Sequence, residues 1–195
     1  MKIHAHLALD NRSSSIGWIV IILFLIALGI LLLHSGGGSL EKAIDQKLPA
    51  LQLAPLTGAS QPVTLDQLKG KVVLVNFWAT WCPYCLPELP RFAEMESELA
   101  NDDFVLLPVS CGTDNPDRLL SETEATLEKL NLDLPTYSDP DGTTRLAFAQ
   151  LAGHTGLPTS FVLDRSGTIR GAWEGAGQEN AIYAKVRELL NEQQP

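Results

Sequence analysis

Cys82 and Cys85 stand three apart in Trp81-Cys82-Pro83-Tyr84-Cys85, directly after the apolar run 72–79. Thiols at this spacing can come close enough to meet disulfide geometry. A thiolate of such a pair can attack another disulfide, and its neighbour can resolve the mixed disulfide. The spacing that follows predicts a helix over 82–100, with Cys82 at its start and Cys85 one turn on. A helix N-terminus offers unsatisfied N–H groups and about half a positive charge. Cysteines so placed have pKa values of roughly 3.5–7.5. Cys82, nearest the end and most exposed, is then the nucleophile and Cys85 the resolving thiol. A zinc site needs about four ligands. Beyond this pair the chain has Cys111, His4, His6, His34 and His154, with no second paired cluster. A static disulfide is the other plain reading.

Other elements must hold this dithiol in place. Residues 71–77 are, after Lys71, continuously apolar except Asn76, and residues 104–109 repeat the pattern; such runs read as strands buried on both faces. Leu89, Phe92, Met95 or Glu96, and Leu99 make one face of the helix after the dithiol. Residues 119–130 form an amphipathic helix with an acidic outer face, and residues 143–151 a short one. Residues 159–163 and 169–173 flank the turn Asp164-Arg165-Ser166-Gly167, a hairpin signal. Ile182, Val186, Leu189 and Leu190 face inward from a last helix. Residues 40–70 read as an extended, turn-rich approach to the first buried strand. Strands alternating with helices indicate a layered α/β domain.

The chain of 195 residues is 45% apolar and carries a formal net charge of −9. Residues 36–195 hold 12 Lys plus Arg against 22 Asp plus Glu, a balance of −10. Nucleic-acid binding rests on cationic side chains neutralising phosphates, so this balance argues against it. Residues 16–33 carry no charge and are nearly all apolar. At ~1.5 Å per residue that run is roughly 27 Å long, close to a bilayer core of about 30 Å. A cleaved signal peptide would have a shorter apolar region ending in a small-residue site, which Leu31-Leu32-Leu33-His34-Ser35 does not offer. The expected organisation is an N-terminal tail over 1–15, a transmembrane anchor over 16–34, a flexible tether over 35–47 containing Ser35-Gly36-Gly37-Gly38-Ser39, and a folded domain over 48–195. The short tail with Arg12 beside the span favours an inside N-terminus and a domain across the membrane.

Residues 72–90, with Phe77-Trp78-Ala79-Thr80-Trp81-Cys82-Pro83-Tyr84-Cys85, resemble the thioredoxin superfamily, and most of all the membrane-anchored TlpA/ResA/DsbE group of extracytoplasmic thiol–disulfide oxidoreductases. The resemblance covers about residues 48–190 and includes Leu68-Lys69-Gly70-Lys71, Pro90 and Gly156-Leu157-Pro158-Thr159. It implies a thioredoxin-like central mixed sheet flanked by helices, here with an N-terminal transmembrane helix. It implies a cis bond before Pro158, facing the dithiol, with the Leu157 backbone pairing with a partner chain and Trp81, Pro83 and Tyr84 contributing to the docking face. It also implies that Pro90 kinks the active-site helix.

Asn76 stands where cytoplasmic thioredoxin has a buried aspartate. Glu88, three after Cys85, matches the helix acid of ResA-type members and would serve Cys85 as acid or base; a plain first-turn glutamate is its other reading.

The implied activity is protein-disulfide reduction at the outer face of the inner membrane, in the periplasm. Oxidised proteins, apocytochrome c among them, are the substrates, and a membrane protein donates electrons. The redox group is the Cys82–Cys85 pair itself, with no metal or other cofactor. Alternatives on the same fold are a disulfide oxidant or isomerase, a Cu(I)-handling chaperone using His154, and a peroxiredoxin-like peroxidase, against which Ala79 stands at the Thr/Ser position. Cys111 ends the second buried strand and reads as a small buried residue or as a third redox thiol.

Overall fold

The computed structural model describes residues 18, 21–26, 39–99, 103–153 and 156–192. The chain divides into a unit over Met1–Gly38 and a unit over Ser39–Pro195. In the first, residues 18 and 21–26 are helical and their apolar side chains are exposed. Most of the run 16–34 lies outside the described residues, as do His154 and the ends of the chain. Among the described residues no helix is long and apolar enough to cross a membrane.

The second unit is built on seven strands: β1 (Gln52–Thr57), β2 (Val63–Thr64), β3 (Val72–Trp78), β4 (Phe104–Ser110), β5 (Thr136–Ser138), β6 (Thr159–Leu163) and β7 (Ile169–Glu174). They form one mixed sheet in the order β2-β1-β5-β4-β3-β6-β7. β3 runs parallel to β4 and antiparallel to β6, so it lies at the centre with both edges paired. All seven of its residues are buried. Its even-numbered residues Val72, Leu74 and Trp78 pack with helices α1 (Glu88–Leu99) and α4 (Glu179–Asn191). Its odd-numbered residues Val73, Val75 and Phe77 pack against α3 (Thr143–Ala152). The period-2 alternation of a strand produces this division. On the α3 face the ring of Phe148 stacks on Phe161 and meets Phe77 edge to face.

Two boundaries differ from expectation. The helix after the dithiol begins at Glu88 rather than at residue 82. Residues 83–87 are turns, closed by Cys85 N–H to Cys82 O at 3.1 Å and Glu88 N–H to Cys85 O at 3.2 Å. Pro87 disfavours the α conformation at Leu86, which delays the regular helix. Pro90 therefore falls in the first turn of α1, where a missing N–H costs no intrahelical bond.

The expected tether over 35–47 is part of the domain from Ser39 onward. Residues Ser39–Ala43 form a 3-10 turn, and Ala43 and Leu48 are buried. Asp45 N–H donates to Ile169 O at 2.8 Å, and Leu48 N–H to Gly167 O at 3.0 Å. Arg170 bridges Asp164 and Asp45. Helix α2 (Pro116–Leu130) begins three residues before the expected 119, capped by the Asn115 side chain, which accepts from Arg118 N–H, with Pro116 in the first turn.

Candidate active site

Sheet register gathers the chemistry at one end. Trp78 closes β3 opposite Ser110 of β4, and Cys111 N–H donates to Trp78 O at 2.8 Å. Thr159 opens β6 opposite Phe77. The exits of β3 and β4 and the loop before β6 therefore share one edge of the sheet. The dithiol follows β3 there, and Leu157-Pro158 sits immediately before β6.

Cys82 and Cys85 are joined as a disulfide. Both sulfurs' residues are buried among Trp78, Ala79 and Leu89, Cys82 keeping 3% exposure and Cys85 none. Cys82 is thus the more accessible of the two by a small margin, and it lies six residues ahead of the first residue of α1 instead of at the helix start. Trp81 and Tyr84, on either side of Cys82, are 64% and 68% exposed. The Trp81 indole N–H donates to Gly112 O at 2.8 Å, and Thr80 Oγ1 donates to Glu122 at 3.3 Å. The loop after β4 and helix α2 thereby brace the segment that leads into the dithiol. Neither bond is visible in local sequence.

The Leu157–Pro158 peptide bond is cis. Pro158 O accepts from Gly175 N–H at 2.9 Å, and Thr159 Oγ1 donates to Gly156 O at 2.6 Å. Leu157 packs against the cluster that holds the two cysteines.

Two polar side chains lie buried on the α1 face. Asn76 Nδ2 donates to Ser160 Oγ at 3.0 Å, and its Oδ1 has no partner among the described residues. Glu88 is 2% exposed and its Oε2 likewise has none. Burial, reinforced by the charge of Glu179 on α4, pushes the Glu88 pKa up to about 8. A carboxyl so tuned exchanges protons near neutral pH. Cys111 is half-buried, with its thiol pushed up to about 11, mainly by burial and against the opposing pull of Arg145. At neutral pH it is a thiol and so a poor nucleophile. Among the described residues no group of three or more His, Cys, Asp or Glu is placed to hold a metal ion.

Residues 42–172 match the model of the AhpC/TSA family. The chain belongs to that family. Within the AhpC/TSA family, the chain is similar to the thiol:disulfide interchange protein DsbE of Pseudomonas aeruginosa, 33% identical over 129 residues that cover 65% of this chain and 64% of the relative. The thiol:disulfide interchange protein HelX of Rhodobacter capsulatus is 32% identical over 149 residues, covering 74% of this chain and 76% of HelX. The solved structure of a thioredoxin-family thiol:disulfide interchange protein from Chlorobium tepidum superposes with a TM-score of 0.63 at 26% identity, covering 76% of this chain and 99% of that one. This AhpC/TSA-family chain is therefore a thioredoxin-fold thiol:disulfide oxidoreductase, similar to DsbE and HelX.

Proposed function

We propose that the protein is a membrane-tethered, extracytoplasmic protein-disulfide reductase. The observation that carries the reading is the buried Cys82–Cys85 pair, with exposed Trp81 and Tyr84 on either side of Cys82 and a buried carboxyl, Glu88, three residues after Cys85. In the reduced enzyme the Cys82 thiolate attacks one sulfur of a substrate disulfide, forming a Cys82–substrate bond and releasing the other substrate sulfur as a thiolate that takes up a proton. Glu88 accepts the Cys85 proton, and the Cys85 thiolate displaces the second substrate sulfur. The Cys82–Cys85 bond closes and two electrons have passed to the substrate. A dithiol donor protein at the membrane returns the enzyme to its reduced form, and no other cofactor takes part.

The pKa of Glu88, about 8, supports its role, because a base works best when its pKa lies near the operating pH. Trp81, Pro83, Tyr84, Leu157 and Pro158 form the substrate-facing surface, and the Leu157 backbone offers pairing to the substrate chain. The uncharged run 16–33 supports the anchor, with residues 1–15 inside and the domain in the periplasm. The names of the relatives support disulfide exchange with proteins; cytochrome c maturation, with apocytochrome c as substrate, rests on the resemblance to the TlpA/ResA/DsbE group.

Trapping tests the reading. Cys85→Ser should leave Cys82 in a stable mixed disulfide with its partner, and a cell extract should yield one or a few covalent adducts that dithiothreitol releases. A protein that accumulates no adduct overturns exchange through Cys82. Equilibration against glutathione tests direction: a potential as oxidising as about −120 mV would mark an oxidant instead.

A further inference from the structure

Thr80 and Trp81 lie past the end of β3, in a turn that Cys82 N–H closes by donating to Ala79 O at 3.1 Å. The sheet ladder stops short of them, so side chains must fix their place. Trp81 does this through its indole bond to Gly112 O, and Thr80 through Glu122 of helix α2.

Two consecutive residues in the second turn of α2 reach the exits of the two parallel strands. Thr123 Oγ1 shares a hydrogen bond with Ser110 Oγ at 2.9 Å, and both side chains are buried. Ser110 ends β4 and pairs with Trp78, the last residue of β3. Glu122 is half-buried; its Oε2 accepts from Thr80 Oγ1 at 3.3 Å, and its Oε1 accepts from Arg118 Nε–H at 2.6 Å. Arg118 orients the carboxylate from one turn earlier in the same helix. An ionised acceptor makes the Thr80 bond stronger than a neutral one would be.

The loop between β4 and α2 completes the bracket. A side chain at Gly112 would place its Cβ 3.3 Å from Thr80 Oγ1 and 3.7 Å from Leu119 Cδ1, so glycine lets this loop lie against Thr80. Asn115 N–H donates to Thr113 Oγ1 at 3.3 Å, and Asn115 Oδ1 accepts from Arg118 N–H at 3.0 Å. Arg118 thus ties the loop through its backbone and Glu122 through its guanidinium.

We infer that Glu122 is a positioning residue for Cys82: through Thr80 Oγ1 it holds residues 80–82 in the geometry from which Cys82 attacks. The inference rests on the reading of Cys82–Cys85 as a protein-disulfide exchanger. Reaction needs the two sulfurs close and aligned, and a small misplacement is costly. Cys82 keeps only 3% exposure, so a substrate sulfur has one narrow approach to it. A shift of the turn that carries Cys82 disturbs that approach without touching the docking surface.

The test uses the full-length reduced protein in non-ionic detergent, in excess over a fluorescent disulfide-bonded peptide. One turnover then gives a limiting rate and a half-saturating concentration. Glu122→Ala and Thr80→Val should each lower the limiting rate about 10-fold and leave the half-saturating concentration within about twofold of the parent's. Glu122→Gln keeps an acceptor in place and should bring the limiting rate back to within about threefold of the parent's. The double variant Thr80→Val, Glu122→Ala should be no slower than the slower single variant, because the two side chains make one bond. A parental limiting rate in Glu122→Ala, a Glu122→Gln protein as slow as Glu122→Ala, or losses that multiply in the double variant overturn the inference alone. If Glu122→Ala does not fold, Thr80→Val removes only the donor and reads the same bond, and a parental rate there overturns the inference. A parent protein that fails to reduce the peptide overturns the exchange reading and this inference with it.

Discussion

The Asn76 side-chain amide donates to Ser160 Oγ at 3.0 Å across the β3–β6 pair, on the same face of the sheet as the dithiol cluster. An amide is neutral at every pH, so this fully buried position adds no titration to folding. Asn76→Asp would place a carboxyl there, and burial would raise its pKa. Folding then opposes ionisation. The folded chain holds its proton where the unfolded chain has lost it, so stability falls as pH rises above about 4. The variant should melt close to the parent near pH ~4 and roughly 5–10 °C below it near pH ~8. An equal loss at both pH values would mean that the cost lies in packing instead of charge.

Glu88 already shows this behaviour in the parent. Its carboxyl sits at about 8 in the folded state against 4.5 in the free side chain, raised by burial and then by Glu179. The folded state binds the extra proton between those values, so Glu88 costs stability progressively as pH rises through that window, and in full above about 8. Glu88→Gln removes the cost. It should raise the melting temperature by roughly 5–10 °C at pH ~9 and change it little at pH ~4. The same substitution should slow closure of the mixed disulfide near neutral pH about 10-fold or more, since general acid–base help contributes on the order of 10²–10⁴. Melting curves at the two pH values and rapid-quench alkylation of the dithiol check the two halves separately. A variant that melts with the parent's pH profile would show Glu88 to be ionised in the fold.

The elements that carry the site differed in how plainly the sequence announced them. β3 and β4 were legible because both faces of each strand are buried, which forces an unbroken apolar run. The dithiol was legible as a spacing, and its place at the exit of β3 followed from the run before it. The helix start was misplaced because Leu89, Phe92 and Leu99 keep one period, and the period carries no mark of where Pro83 and Pro87 interrupt it. β5 went unrecognised because three residues give no periodicity, although Tyr137 pairs with both Pro55 and Val109. The cis bond before Pro158 was expected from family resemblance alone. The indole bond from Trp81 to Gly112 spans 31 positions, so no local pattern could report it.

Cys111 separates a buried thiol from a redox one. Its pKa of about 11 leaves roughly one part in ten thousand as thiolate at pH 7, since burial outweighs the pull of Arg145. In the oxidised protein Cys82 and Cys85 are bonded to each other, so Cys111 is the one free thiol. Iodoacetamide should label it roughly 100-fold more slowly than an ordinary exposed cysteine at pH 7, and the rate should still be climbing at pH ~10. Mass spectrometry of the intact chain follows the single adduct. Labelling at the rate of free glutathione would restore a redox role for this thiol.

The contacts made by residues 39–48 set where the domain begins. Ala43 is fully buried, Asp45 N–H donates to Ile169 O, and Ile169 N–H donates to Gln46 O at 2.9 Å. The ion pairs of Arg170 with Asp45 and Asp164 are partly exposed and contribute little beside these. A chain trimmed to begin at Ser39 keeps all of them. One trimmed to begin at Leu48 loses the buried alanine and both backbone bonds, and uncovers apolar surface on α3, against which the 39–43 turn packs. Two lost hydrogen bonds and the uncovered surface amount to roughly 2–3 kcal/mol. For a domain of this size the shorter chain should melt roughly 5–10 °C below the longer one. Equal melting temperatures would return residues 39–47 to the role of a tether.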